Sequence, residues 1–206
     1  MLYFGIRLKE KIAILYGGIR NGVNAMNITV YGAARETINE EYKTATEKLG
    51  EEMAKRGHTL IFGGGKNGLM GAVARGMTKG GGKIIGIAPK FFEPDGVLYD
   101  KCTDFIFTED MRSRKALLEG KADAIIVLPG GIGTYDEFFE VFTLNSLGQI
   151  KKPMALFNIR GYYEPLKALI DHTVKEGFMA EQTAKTLLFS FDENELFSFL
   201  EENGRV

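Results

Sequence analysis

The sequence predicts an α/β fold: a doubly wound parallel sheet in three layers, α/β/α. Three observations carry that expectation. From residue 28 onward, short apolar runs alternate with segments of helical periodicity. The 26 glycines cluster directly after several of those runs, as ligand loops do. The length of 206 residues, 45% hydrophobic and 26% charged, suits one well-buried domain.

The elements follow in order. Residues 1–25 read as an extension ahead of a single domain, residues 26–206. Its apolar run, Ile12 to Tyr16, is flanked by basic residues and followed by no clean cleavage site, unlike a signal peptide. Met26 reads as the natural start. Ile28 to Ala33 is the first strand, and a helix of about twenty residues runs on to Gly57, with Tyr42, Leu49 and Met53 facing inward. His58 to Phe62 is the second strand, the loop Gly63-Gly64-Gly65-Lys66-Asn67-Gly68 follows, and Leu69 to Met77 is the next helix. Lys83 to Ala88 is a strand stopped by Pro89, and residues 91–104 form a long connection with the character of a flap. Phe105 to Phe107 is a short strand, and Met111 to Glu119 a helix capped by Asp110. Ala122 to Val127, interrupted by Asp123, is a buried strand, and Met154 to Phe157 another. Helices at Tyr163 to Glu176 and Glu193 to Glu201 close the chain. In such a fold ligands sit at the carboxyl ends of the strands, where all three glycine-bearing loops lie.

Bulk composition excludes several classes. A net charge of −1 argues against a general binder of nucleic acid or membrane surface. One cysteine, Cys102, rules out an intrachain disulfide and fits a reducing cytoplasm. Two histidines, His58 and His172, leave no zinc-type cluster, and both read as structural or surface residues. No apolar stretch is long enough for a membrane span.

The stretch Leu128-Pro129-Gly130-Gly131-Ile132-Gly133-Thr134-Tyr135-Asp136-Glu137 carries the chemistry. A strand that breaks into glycines and opens a helix presents bare N–H groups and a dipole's positive end, which suits a phosphate. Glycine is expected there because a Cβ blocks close approach and many φ values are positive. Taking 100° per residue from Thr134, Phe138, Val141, Phe142 and Asn145 share the apolar side, and Asp136, Glu140 and Thr143 the wet side. Glu137 falls at the edge of the apolar face, so its carboxylate points inward beside the anion. The competing reading is a Thr134-x-x-Glu137 capping box that only finishes the helix start.

Other motifs are weaker. Gly63-x-Gly65-x-x-Gly68 has the form of a dinucleotide fingerprint, but Ala88-Pro89-Lys90 stand where the ribose-binding acid is needed. Neither Lys66 nor Lys121 completes a P-loop. Arg112, Arg114 and Lys115 crowd the start of one helix against its dipole, a cost that a bound anion would offset. Phe91-Phe92 either lines a pocket or packs in the core, and Cys102 has no activating partner.

Together these residues resemble the LONELY GUY family, the cytokinin riboside 5′-monophosphate phosphoribohydrolases, which also carry the label lysine decarboxylase. The resemblance rests on Pro129-Gly130-Gly131-x-Gly133-Thr134-x-x-Glu137, Gly63-Gly64-Gly65-x-x-Gly68-Leu69-Met70-Gly71 and Met111-x-x-Arg114-Lys115. Lys152-Pro153, Gly161-Tyr162-Tyr163 and Glu176-Gly177-Phe178 also fit, over about residues 28–180. It implies a Rossmann-like homodimer, or a higher homo-oligomer, that cleaves the N-glycosidic bond of adenine-type nucleoside 5′-monophosphates. It implies Arg114 and Glu137 as the catalytic pair. Gly130, Gly131, Gly133, Thr134 and Lys115 are expected on the phosphate, with Gly32, Ala33, Gly64, Gly65, Met70 and Met111 completing the nucleotide contacts. No metal or cofactor is expected. The first loop departs from the family, with Gly32-Ala33-Ala34-Arg35 where serines are usual, and Leu144 and Ser146 replace a tryptophan and a glutamine. Two other classes stand beside the hydrolase: a non-catalytic nucleotide or cofactor carrier, and an amino-acid decarboxylase needing a Schiff-base lysine.

Overall fold

In the computed structural model, which describes residues 25–204, seven strands form one parallel sheet. The expected extension before Met26 lies outside the described residues, Ala25 excepted. The strands are β1 (Asn27–Tyr31), β2 (Thr59–Phe62), β3 (Lys83–Pro89), β4 (Asp104–Thr108), β5 (Ala124–Val127), β6 (Met154–Phe157) and β7 (Leu187–Ser190). Their spatial order is β4-β3-β2-β1-β5-β6-β7, so the winding reverses between β1 and β5, where the register sets Val30 opposite Ile126. A reversal of this kind leaves a crevice at the carboxyl ends of the two central strands. The expected doubly wound parallel sheet is present.

Helices α1 (Glu40–Lys55), α2 (Gly68–Lys79) and α7 (Glu193–Asn203) cover one face, packing Leu49, Met53, Val73 and Phe197 against Ile28, Leu60 and Ile126. Helices α3 (Met111–Gly120), α4 (Ile132–Ser146) and α5 (Glu164–Lys175) cover the other, packing Leu118, Phe138, Phe142 and Ile170 against Ile61, Ile125 and Leu156. The central strands are buried on both sides, which is why Ile125 to Val127 read as an unbroken apolar run.

Several boundaries differ from the sequence expectation for identifiable reasons. Helix α1 begins at Glu40, capped by Asn39, because residues 32–39 fold across the start of α2. Strand β5 begins at Ala124 because the Asp123 carboxylate turns out to accept the Asn27 N–H at 2.7 Å. β7 and the short helix α6 (Glu181–Ala184) had no counterpart in the reading of the sequence. The connection after β3 is fastened rather than free. Lys66 N–H bonds Val97 O at 2.9 Å, Tyr99 N–H bonds Gly64 O at 2.8 Å, and Tyr99 is buried. Phe91 and Phe92 lie against each other, ring centroids 4.6 Å apart and tilted by 46°, with Phe91 exposed, so they join neither core cluster nor the lining of the cavity at the β1–β5 crevice.

His58 is structural. It is buried, its Nδ1 accepts the Met26 N–H at 3.2 Å, and its Nε2 meets Glu201 Oε1 at 3.1 Å. Burial holds its pKa below the ordinary value of 6.5. Burial also pushes the Cys102 thiol up to about 11, so it stays protonated and unreactive at neutral pH.

Helices α1 and α2 meet backbone to backbone. A Cβ at Gly76 would sit 2.0 Å from Glu47 O, and one at Gly50 would sit 2.4 Å from Val73 O. Alanine is the better helix former, yet here it must force the helices apart. Gly76→Ala is expected to lose about 1–3 kcal/mol in denaturant unfolding; a stabilised variant would contradict this packing.

Candidate active site

The crevice between β1 and β5 opens into a cavity of about 680 Å³. Side chains and backbone of α1, α2, α3 and α4 and of the connections at residues 32–39, 129–131 and 162 line it. β5 delivers Pro129 to Gly131, from which α4 starts with Gly131 as its N-cap. Gly131 has no side chain to cap with, so the first-turn amides of α4 face the cavity without an internal partner. The competing capping box between Thr134 and Glu137 does not form, because the N-cap is Gly131, three residues before Thr134. The bland explanation of that pair is thereby removed.

The glycines of this mouth are there for room and not for unusual dihedrals. Gly131 has φ −94°, and no glycine from 130 to 133 has positive φ, which corrects the sequence expectation. A Cβ at Gly130 would strike Thr134 Oγ1 at 2.1 Å, whereas Cβ atoms at Gly131 or Gly133 would meet no atom within 4 Å. The fold itself therefore has no steric need for glycine at positions 131 and 133. Gly133 even weakens the helix by about 1 kcal/mol relative to alanine. Bare amide approach by a ligand supplies the missing reason.

The mouth of α2 is built from the same kind of loop but is shut. Glu36 Oε2 accepts the Gly68 N–H at 2.8 Å, and Ala33 O accepts from Leu69 N–H at 2.8 Å and Met70 N–H at 3.3 Å. Bonds from the Gly68 amide and Lys43 hold the Glu36 carboxyl below its usual range. Gly64, Gly65 and Met70, expected at the ligand, consequently stand behind the cavity wall, and only Leu69 of that segment lines it. Gly63 has a different use. A Cβ there would meet Arg114 Nη2 at 2.0 Å, so the glycine makes space for the guanidinium.

The expected catalytic residues meet. Asp110 caps α3 in a reciprocal bond with Ser113, with Ser113 N–H to Asp110 Oδ1 at 2.8 Å. This start aims Arg114 across the β3 end, where its Nε donates to Ile87 O at 3.3 Å and its Nη1 to Glu137 Oε1 at 2.8 Å. Both side chains are 13% exposed. Burial raises the Glu137 pKa above the ordinary 4.5, and Arg114 draws it part of the way back. The inward placement read from the 100° periodicity is the one observed.

Lys115 is bound elsewhere, to Glu140 Oε2 at 2.7 Å and Asp136 Oδ2 at 3.1 Å, and these bonds hold its ammonium above its usual pKa. Two of the three cations crowding the start of α3, Arg114 and Lys115, are thus offset by carboxylates of α4. Gly32, Ala33, Met111, Lys115 and Thr134 line the cavity as expected. The sequence reading missed Arg35, Ile38, Asn39 and Tyr162 as lining residues, and had Tyr42 only as an inward residue of its helix. Tyr162 had a signal in Gly161-Tyr162-Tyr163, but no spacing rule says what it touches. Its hydroxyl donates to Gly130 O at 2.6 Å, and that of Tyr163 to Leu128 O at 2.6 Å. Burial, with the Tyr162 hydroxyl nearby, pushes Tyr135 up to about 12.

An open helix mouth at the switch point of a doubly wound sheet, beside a sheltered arginine–glutamate pair, defines a Rossmann-like protein with a cavity at the carboxyl ends of its central strands. The chain belongs to the family described as "Possible lysine decarboxylase", whose pattern matches residues 70–200. It is similar to the cytokinin riboside 5′-monophosphate phosphoribohydrolase LOG of Oryza sativa subsp. japonica, at 39% identity over 85% of this chain and 72% of the rice protein. It is 36% identical to the LOG7 phosphoribohydrolase of Arabidopsis thaliana, over 85% of this chain and 81% of that one. Among solved structures, the molybdenum cofactor binding protein of Rippkaea orientalis superposes with a TM-score of 0.67 at 19% identity, covering 87% of this chain and 97% of its own. The Moco carrier protein of Chlamydomonas reinhardtii gives 0.64 at 20% identity, covering 87% and 97%. At that identity the last two bear on the fold alone.

Gly131→Ala tests the open mouth. Its dihedrals suit alanine and its Cβ meets nothing, so unfolding stability is expected within about 0.5 kcal/mol of the parent. Affinity for a phosphate monoester, read by calorimetry, is expected to fall by at least about tenfold. Unchanged affinity would place the anion elsewhere.

Proposed function

We propose that the protein hydrolyses the N-glycosidic bond of adenine-type nucleoside 5′-monophosphates, AMP or its prenylated cytokinin relatives, to free base and ribose 5-phosphate. One observation carries the reading: a sheltered carboxylate, Glu137, ion-paired to Arg114 and standing one helical turn beyond an uncapped mouth. The names of the plant relatives support the same chemistry.

The geometry fits the reaction. The 5′-phosphate sits on the amides of Gly131, Gly133 and Thr134. Glu137 lies about 4.5 Å further along the helix axis than Thr134, on the order of one sugar ring. Its carboxylate faces C1′, where positive charge develops as the bond to the base lengthens. Water adds to C1′ and gives a proton to Glu137, while the base leaves with the bonding electron pair and takes a proton from solvent, to which Glu137 afterwards returns its own. Arg114 keeps the half-sheltered acid ionised and fixed in direction. Asp136, though it borders the cavity, is tied to Lys115 and diverges by about 100° from Glu137. The scheme uses no metal.

A carrier of the same fold needs the mouth but has no use for a sheltered acid at this place. The decarboxylase label fits the residues poorly. Among the described residues Lys115 is the one lysine lining the cavity, and two carboxylates hold it protonated, the reverse of what Schiff-base formation demands. Lys152, whose pKa burial lowers, is spent on the carbonyls of Glu119 and Ala122, outside the cavity.

The protein also pairs with a second copy through α4 in this reading. Val141 and Phe142 face its own core, which leaves Ile132 and Phe139 as the exposed large apolar residues of that helix, with Leu147 just past its end. Among the described residues no helix is long and apolar enough to cross a membrane. A reducing cytoplasm is the compartment that the single cysteine fits.

Glu137→Gln is expected to bind AMP with near-normal affinity and to lose about 10²–10⁴ in adenine release, followed by chromatography. Near-normal turnover would refute the role given to Glu137. The pH profile supplies a second check. Glu137 must be ionised, and its pKa is raised, so kcat/KM falls with acid at a midpoint above 4.5. Arg114→Gln, which removes the group that lowers that pKa, is expected to move the midpoint higher still; a midpoint indifferent to the arginine would sink the assignment.

A further inference from the structure

The corner after β6 carries the backbone outlier among the described residues. Arg160 is the non-glycine residue with positive φ, 56°, and Gly161 follows at 71°. Gly161 takes that conformation freely, but a left-handed arginine costs conformational energy that the surroundings must repay, and such strain gathers at functional positions. The corner is pinned from both ends. Asn158 Oδ1 accepts the Tyr163 N–H at 2.7 Å, its Nδ2 donates to Glu164 at 2.6 Å, and Arg160 pairs with Glu41 at the start of α1. The product of this turn is a pair of adjacent tyrosines whose hydroxyls reach two alternate carbonyls of the loop under the ligand mouth, each at 2.6 Å.

The two bonds differ in what lies across the peptide. Tyr163 holds the Leu128 carbonyl, and the other end of that unit is Pro129, which has no N–H. Tyr162 holds the Gly130 carbonyl, and the other end of that unit is the Gly131 N–H. In a planar trans peptide the carbonyl and the N–H point in opposite directions. A donor on Gly130 O therefore turns the Gly131 N–H away from Tyr162 and polarises it as a donor. Among the described residues no acceptor faces that N–H, and Gly131 lines the cavity.

We propose that Tyr162 is a positioning residue that sets the phosphate affinity of the α4 mouth by fixing and polarising the Gly130–Gly131 peptide. This rests on the reading of that mouth as the site of the 5′-phosphate. Tyr163, one residue on and making the same bond to a peptide without an N–H, is the built-in control. Tyr42 packs edge-on against Tyr162 at 6.2 Å, so removing the hydroxyl alone leaves the ring held in place.

The test titrates ribose 5-phosphate into the parent, Tyr162→Phe and Tyr163→Phe by calorimetry, with AMP turnover and Tm on each. Tyr162→Phe is expected to weaken ribose 5-phosphate and to raise KM for AMP by the same factor, about tenfold, with kcat within about threefold. Tyr163→Phe is expected to lower Tm and leave the affinity alone. In NMR the Gly131 amide proton should move downfield on ligand addition in the parent and clearly less in Tyr162→Phe. Equal affinities for the parent and Tyr162→Phe, or an equal loss in both tyrosine variants, overturn the proposal while the phosphate site stands. A parent protein that binds no ribose 5-phosphate overturns the site and the proposal together.

Discussion

The ion pair between Arg114 and Glu137 is the constraint on which the site depends. Breaking a buried pair by removing one partner typically costs about 3–5 kcal/mol, and keeping it seldom stabilises a fold beyond an apolar pair of like volume. Its presence needs an extensive supporting arrangement. Asp110 and Ser113 fix the start of α3, and Lys152 holds its far end through the carbonyls of Glu119 and Ala122. Gly63 clears room for the guanidinium, and Ile87 O orients it. Every one of these features serves to aim one arginine at one glutamate, which makes chemistry a better explanation than stability.

The two glycine loops show how the same local pattern acquires opposite meanings. Both follow a strand and open a helix. One has its amides taken by Glu36 and Ala33, and so braces the first loop against α2. The other has none taken, and its carbonyls are gripped from behind by Tyr162 and Tyr163. The dinucleotide fingerprint of the second loop has lost its use, since the mouth it needs is shut.

Much of the fold was legible because strands buried on both faces and helices with one apolar side leave different periodicities in the sequence. Glu137 could be placed inward from angular position alone, and Asp110 as a cap from residue type. What stayed hidden depends on distant residues. Nothing in Gly63 to Gly68 tells that Glu36 will fill the amides of the following helix, so Gly64, Gly65 and Met70 looked like ligand contacts. Lys115 looked free because its partners, Asp136 and Glu140, come from another helix. β7 is four residues without flanking glycines, too short to stand out from the helices around it. The grip of Tyr162 on Gly130 joins positions far apart in the chain, and no periodicity encodes it.

The most direct test of the account is a crystal of the protein soaked with ribose 5-phosphate. The account predicts phosphate density on the amides of Gly131, Gly133 and Thr134, with C1 of the sugar turned toward the Glu137 carboxylate. Phosphate at the start of α2, or a sugar whose C1 faces away from Glu137, would contradict it.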